Sequence, residues 1–274
     1  MPKVEKVPGT AFVVAVFRAE ENQVSNPLYQ DPQVEIFLDK PAKEFAESIA
    51  KICPAASAMV RLRTRYFDEH LDAELDRGVR QVVILGSGLD TRALRKKRHG
   101  VVFYEIDCAE TLKYKEARLD ASRIDHSHIR FIPGNYLGNN MIPFLKSAGF
   151  LFDGPAYFIW EGNSVYLSPE DDAWVLRTLR DEVKDFRISF DYNSEKLINR
   201  TTGHEDLNKF MDQFSGMSAH WITGFDKIEP LAEQAGLKLI DNYSMWDLFH
   251  KYRPKHIQES GIFRYYSVCT LGQK

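Results

Sequence analysis

Apolar side chains recur at helical spacing through the first eighty residues, separated by polar breaks. Thr10 is placed to cap a helix over Ala11–Glu21, and Asn26-Pro27 and Asp31-Pro32 punctuate the stretch after that helix. Phe45, Ile49 and Ile52 mark a helix over Ala42–Ile52. Val60, Phe67, Leu71 and Leu75 mark a longer one over Ser57–Asp76, with Gly78 as its stop. Then the period changes. Short β-rich runs fall at Gln81–Leu85, Val101–Ile106, Ile129–Ile132, Tyr157–Trp160, Phe186–Phe190, Leu237–Tyr243 and Phe263–Leu271. Helical stretches intervene: one from Thr91, Ala109–Ala121, one from Ser168-Pro169 to Lys184, Glu195–Phe214 and Asp226–Ala235, the last closed by Gly236.

Strands alternating with helices imply an α/β fold with a mostly parallel, doubly wound sheet, whose binding crevice lies at the strand C-termini. No repeat or long linker divides the chain, so the helical N-terminal part is expected to cap the same domain. At 274 residues, 44% of them hydrophobic, the chain can fill one large core. With 36 Lys+Arg against 39 Asp+Glu, it lacks the basic excess of a nucleic-acid coat. Three scattered cysteines without a CxxC suggest neither zinc nor a disulfide framework, and are expected to be buried small hydrophobes. The longest apolar run near the start, Ala11–Phe17, is far short of the ~20 residues of a bilayer span. With no leader pattern after Met1–Lys6, a cytoplasmic protein without a membrane partner is expected.

The most informative segment is the strand Gln81–Leu85 followed by Gly86-Ser87-Gly88 and a helix. Glycines there let backbone approach a ligand closely. Asp107 ends the second strand 21 positions after Gly86, where a carboxylate can accept hydrogen bonds from both hydroxyls of an adenosine ribose. A dinucleotide fingerprint needs a third glycine where this chain has Thr91, and Asp90 sets negative charge where a pyrophosphate would lie. A ligand bearing an ammonium and a sulfonium suits that charge better, which favours S-adenosylmethionine over NAD.

These residues resemble the leucine carboxyl methyltransferase superfamily, including its bacterial polyketide-type O-methyltransferase branch. The resemblance rests on Thr10-Ala11, Arg18-Ala19, Asp31-Pro32, the block from Arg63 through Thr64, Arg65, Tyr66 and Phe67 to Asp68, Gln81 through the glycine turn to Arg92, Tyr104–Asp107, and Trp160-Glu161-Gly162 with Tyr166-Leu167. It implies S-adenosyl-L-methionine as cofactor and a seven-stranded Rossmann-like sheet over 81–274, capped by 1–80, with a substrate insert around 195–225. An arginine of the Arg63–Asp68 block would pair with the donor carboxylate; Arg63 and Arg65 both fit. Gly86, Ser87 and Gly88 would pass under the methionine part and Asp107 would hold the ribose. Asn135 and Tyr136 stand where the family has an acidic and an apolar residue flanking adenine. Glu161 would face the donor's methionine end, and Arg18 is a weaker match near its carboxylate.

A carboxylate acceptor, with a pKa of about 4, is already ionised, whereas a phenol near about 10 needs a base. No convincing base stands out; His220 and His250 read as surface histidines, which mildly favours a carboxylate. Asp125–His128 lacks further metal ligands, so no metal is expected, and Arg95–His99 reads as a solvated basic face rather than a nucleic-acid surface. Phe210, Met211, Phe214, Met217 and Trp221 could line an acceptor pocket but read more readily as core. The expected activity is O-methylation of a carboxylate or hydroxyl on a small-molecule acceptor. Methylation of a protein C-terminus, a non-catalytic adenosine-ligand binder and, more distantly, an NAD-dependent oxidoreductase remain as alternatives.

Overall fold

A computed structural model describes residues 9–215, 220–253 and 260–273. In chain order its helices and strands are α1 (Gly9–Glu20), α2 (Lys40–Ile52), α3 (Ala56–Asp76), β1 (Gln81–Leu85), α4 (Arg92–Arg95), β2 (Val102–Asp107), α5 (Ala109–Ala121), β3 (Ile129–Pro133) and α6 (Met141–Ser147). Next come β4 (Pro155–Trp160), α7 (Pro169–Glu182), β5 (Asp185–Asn193), α8 (Glu195–Ile198), α9 (Glu205–Ser215), α10 (Glu229–Ala235), β6 (Lys238–Ser244), α11 (Met245–Tyr252) and β7 (Tyr266–Gly272). The strands run in the order β3-β2-β1-β4-β5-β7-β6. This is the seven-stranded α/β sheet expected from the alternation. No helix among the described residues is long and apolar enough to cross a membrane.

The chain divides into two compact units, Met1–Leu151 and Phe152–Lys274. In the first, β1, β2 and β3 pair in parallel, Gln81 opposite Val102 and Phe103 opposite Ile129. Every residue of β1 is buried, as a central parallel strand requires. Helix α1 packs Phe12, Ala15 and Ala19 with Val34, Phe37 and Leu89, so Leu89 of the glycine turn joins the N-terminal helices in one core. In the second unit β4 and β5 are parallel, while β7 runs antiparallel to both β5 and β6.

Three expectations shift for local reasons. The helix from Thr91 is only four residues long, and beyond it Lys96 and Arg98 pair with Asp72 and Asp76 of α3. The stretch Glu195–Phe214 breaks into α8 and α9, where Arg200 and Gly203 take φ of +57° and +79°. Helices α6 and α11 were not expected. For α11 the sequence carries a signal, Ser244 with Asp247 three residues on, and the two form a reciprocal capping box.

Candidate functional site

Gly86 and Gly88 leave β1 with φ of +65° and +48°, a conformation that L side chains resist. The turn they make is fastened to the end of β2. The amides of Gly86 and Ser87 both donate to the Ile106 carbonyl, at 2.8 and 3.2 Å, and that of Gly88 donates to Asp107 Oδ2 at 2.7 Å. Asp107 Oδ1 accepts from the Cys108 amide at 2.7 Å. Each carboxylate oxygen offers about two lone-pair sites, so the half-buried Asp107 keeps capacity for a vicinal diol. A Cβ at Gly88 would meet Ala11 Cβ at 3.6 Å, which brings α1 up to the turn. The donor set and the cradle fit an adenosine-bearing ligand.

Asp90 differs from its expected role. Its carboxylate is buried and turned into the protein, with Oδ2 2.5 Å from Arg92 Nη1 and Oδ1 accepting the Arg92 amide at 2.7 Å. Burial alone would raise this carboxyl; Arg92 and then Arg18 outweigh it and hold it well below the ordinary range. Asp90 therefore belongs to a buried network. Arg18 donates to the Leu89 carbonyl at 2.5 Å and lies 3.2 Å from Asp31, which in turn accepts from Thr91 Oγ1 at 2.6 Å. Asp68 of α3 receives Arg92 Nε at 2.8 Å and Arg95 Nη1 at 2.5 Å. Here too the two arginines, Arg95 foremost, outweigh burial and lower the Asp68 carboxyl. Arg18 is thus engaged with Asp31 and the turn, where a donor-carboxylate contact was expected.

Beneath the turn, Lys115 of α5 pairs with Glu105 of β2 at 2.5 Å, both closed to solvent. Burial raises the Glu105 carboxyl against the lowering pull of Lys115 and of the neighbouring Ser87 hydroxyl. Ser87 itself is buried. Sequence reasoning missed this pair and the roles of Asp31, Asp68, Arg92 and Arg95. The visible signal was the acidic spacing Asp68, Asp72, Asp76 facing a basic run.

That run is solvated only in part: Lys97 and His99 are exposed, whereas the Arg95 side chain is closed off. Arg95 is buried against Asp68, Lys96 reaches Asp72 at 2.6 Å, Arg98 reaches Asp76 at 2.6 Å, and Lys97 reaches Asp125 at 2.6 Å.

Arg63 and Arg65 stand two apart on α3 and point to different sides. Arg65 is 39% exposed, donating to the Leu28 carbonyl at 2.7 Å and to Glu69 at 2.9–3.0 Å. Arg63 is buried. After β3, Tyr136 is buried and Asn135 exposed, its Oδ1 accepting the Leu137 amide at 3.0 Å and retaining a second lone pair. These residues all belong to the first unit. Glu161 lies in the second, half-buried and directly after β4; the next amide, of Gly162, donates to Asp191 Oδ1 at 2.6 Å.

Phe210 and Met211 are buried, and Trp221 packs on both Phe210 and Tyr266, at ring-centre distances of 5.9 and 6.1 Å. The Phe214 side chain and Met217 lie outside the described residues. His126 and His128 bond the carbonyls of Ile124 and Ala93, and no metal-binding cluster occurs among the described residues. Cys53 and Cys269 are buried, but Cys108 is exposed at the start of α5, contrary to the expectation for all three.

The family model described as leucine carboxyl methyltransferase matches residues 11–180. A Saccharopolyspora erythraea protein named "Putative S-adenosyl-L-methionine-dependent methyltransferase" is 33% identical over 178 residues, 63% of this chain and 62% of its own length. A Mycobacterium tuberculosis protein of the same name is 38% identical over 132 residues, 42% of each chain. The chain thus spans less than two thirds of these relatives. Among solved structures, a DUF574 family protein from Streptomyces avermitilis superposes with a TM-score of 0.63 at 13% identity, covering 97% of both chains. An S-adenosylmethionine-dependent methyltransferase from Clostridium acetobutylicum gives 0.53 at 10%, covering 85% of this chain and 99% of its own. At such identities the likeness is one of fold.

Proposed function

Because the chain belongs to the leucine carboxyl methyltransferase family, we propose that it binds S-adenosylmethionine and methylates a carboxylate or hydroxyl of a small molecule. One observation carries the reading: Gly86 and Gly88 in left-handed conformation, clasped to the half-buried carboxylate of Asp107 at the end of the neighbouring strand. The glycines leave room for a ligand against the backbone, and Asp107 supplies acceptors for its ribose.

Bound S-adenosylmethionine supplies a methyl group activated by its positive sulfur. In this proposal Arg63, buried on α3, takes the donor carboxylate, while Arg65 stays with Glu69 and Leu28. Asn135 uses its remaining lone pair and its amide on adenine, with Tyr136 packed beside it. Asp90 shapes the turn from within and is not a ligand. Helices α1 to α3 act as the cap, excluding water from the turn. What the chain contributes to rate is position: oxygen and methyl held in line near about 3 Å.

Calorimetric titration with S-adenosylhomocysteine and with NAD tests the cofactor. Binding of the first alone is expected, and binding of NAD alone would overturn the reading. Transfer of a tritiated methyl group is then followed with small carboxylic acids, phenols and C-terminal peptides as acceptors. Turnover on peptides alone would move the assignment to a protein carboxyl methyltransferase.

A further inference from the structure

Glu105 and Asp107 lie two apart on β2 and so project from the same face of that strand. Asp107, at the strand's end, clasps the Gly88 amide, and Glu105 sits one repeat deeper beneath the same turn. The two oxygens of Glu105 differ. Oε2 accepts from Lys115 of α5 at 2.5 Å, whereas Oε1 has no hydrogen-bond partner among the described residues. The Ser87 hydroxyl, buried between the two glycines of the turn, has none either. It nevertheless lies close enough to Glu105 to lower that carboxyl.

A hydroxyl and a carboxylate oxygen, both closed off from water, thus neighbour each other without a bond. Leaving both unmet costs the fold free energy, and a small movement of the turn would relieve both at once. Ser87 is placed for that movement. The glycines on either side carry no Cβ to obstruct it. Its amide reaches the Ile106 carbonyl at 3.2 Å, the longer of the two bonds that this carbonyl accepts from the turn.

Stability alone does not account for Lys115. An ion pair sealed from solvent is often no better for a fold than two apolar side chains of similar volume. What the ammonium supplies here is opposition to burial, favouring a charged Glu105 as an acceptor under the turn.

We propose that Glu105 and Lys115 are positioning residues for the methyl donor, acting through Ser87: when S-adenosylmethionine seats on the turn, the Ser87 hydroxyl donates to Glu105 Oε1 and draws the turn against β2. Neither charged residue touches the ligand. This rests on the methyltransferase reading and adds to it a coupling between ligand binding and a buried ion pair.

The test uses the full chain, with S-adenosylhomocysteine affinity from calorimetry and the Tm without ligand from thermal melts. Ser87→Ala removes the hydroxyl; Glu105→Leu with Lys115→Met removes the acceptor and its counter-ion together. Each is expected to weaken S-adenosylhomocysteine binding roughly tenfold. The triple variant should bind no more weakly than the pair variant, because one hydrogen bond can be lost only once. Ser87→Ala should not lower the Tm without ligand, since the bond it removes forms only when the turn is occupied. Unchanged affinity in Ser87→Ala, losses that multiply in the triple variant, or a lower Tm of Ser87→Ala without ligand would each overturn the positioning role and leave the donor reading standing. Should the pair variant fail to fold, the affinity and Tm of Ser87→Ala decide alone. Failure of wild-type protein to bind S-adenosylhomocysteine would overturn the donor reading, and this inference with it.

Discussion

Asp107 Oδ2 accepts the Gly88 amide at 2.7 Å, so the side chain expected to hold a ribose also holds the glycine turn in place. Asp107→Ala therefore removes a charged acceptor from the ligand and a clasp from the turn. S-adenosylhomocysteine affinity should fall by about 1.5–3 kcal/mol, measured by calorimetry. Unchanged affinity in a folded variant would remove the ribose assignment.

The two arginines of α3 should separate cleanly. Arg63→Lys is expected to lower S-adenosylhomocysteine affinity roughly tenfold or more, since an ammonium cannot reproduce a bidentate fork. Arg65→Ala should shift it less than about twofold, because that side chain is half-exposed and bound to Glu69 and Leu28. The reverse ranking would exchange their roles.

Asp68 is the hinge of the buried network, facing Arg92 at 2.8 Å and Arg95 at 2.5 Å. Asp68→Ala leaves two buried guanidinium groups under-compensated and should cost about 3–5 kcal/mol in chemical denaturation. Arg98→Ala, whose partners Asp72 and Asp76 are exposed, should cost no more than about 1 kcal/mol. Similar losses for both would mean that burial is not what makes the Asp68 pairs matter.

How far the sequence discloses this molecule depends on the range of the physics involved. β1 reads from five consecutive apolar residues, and the start of α7 reads from Ser168-Pro169, because both signals are local. Gly86, Gly88 and Asp107 are legible because their spacing reflects one strand beside the next. Asp90 misleads for the opposite reason. Its charge looks available to a ligand until Arg18, 72 positions earlier in the chain, is found 4.0 Å away. Lys115 and Glu105 stay hidden likewise, since nothing in composition distinguishes a solvated lysine from one sealed beneath a turn.

Asp172, in the first turn of α7, is closed to solvent, and neither carboxylate oxygen has a hydrogen-bond partner among the described residues. Burial, helped by Asp171, pushes its carboxyl up to about 8 from an ordinary 3.8. The fold keeps a proton that the unfolded chain releases as pH rises from about 4, so this site lowers stability progressively up to about pH 8, then no further. Asp172→Leu should raise the Tm, by roughly 2–4 °C per kcal/mol relieved. The gain over wild type should be larger at pH 8 than at pH 5 in scanning calorimetry. A gain independent of pH would mean that Asp172 does not hold its proton in the fold.

The buried network carries an evolutionary constraint. Arg18, Arg92, Arg95 and Lys115 meet Asp31, Asp68, Asp90 and Glu105, with charges of opposite sign matched one for one. Losing any one leaves a lone ion in a dry interior, whereas losing an opposed pair need not. Among descendants of this chain, these positions are expected to drift in charge-conserving couples.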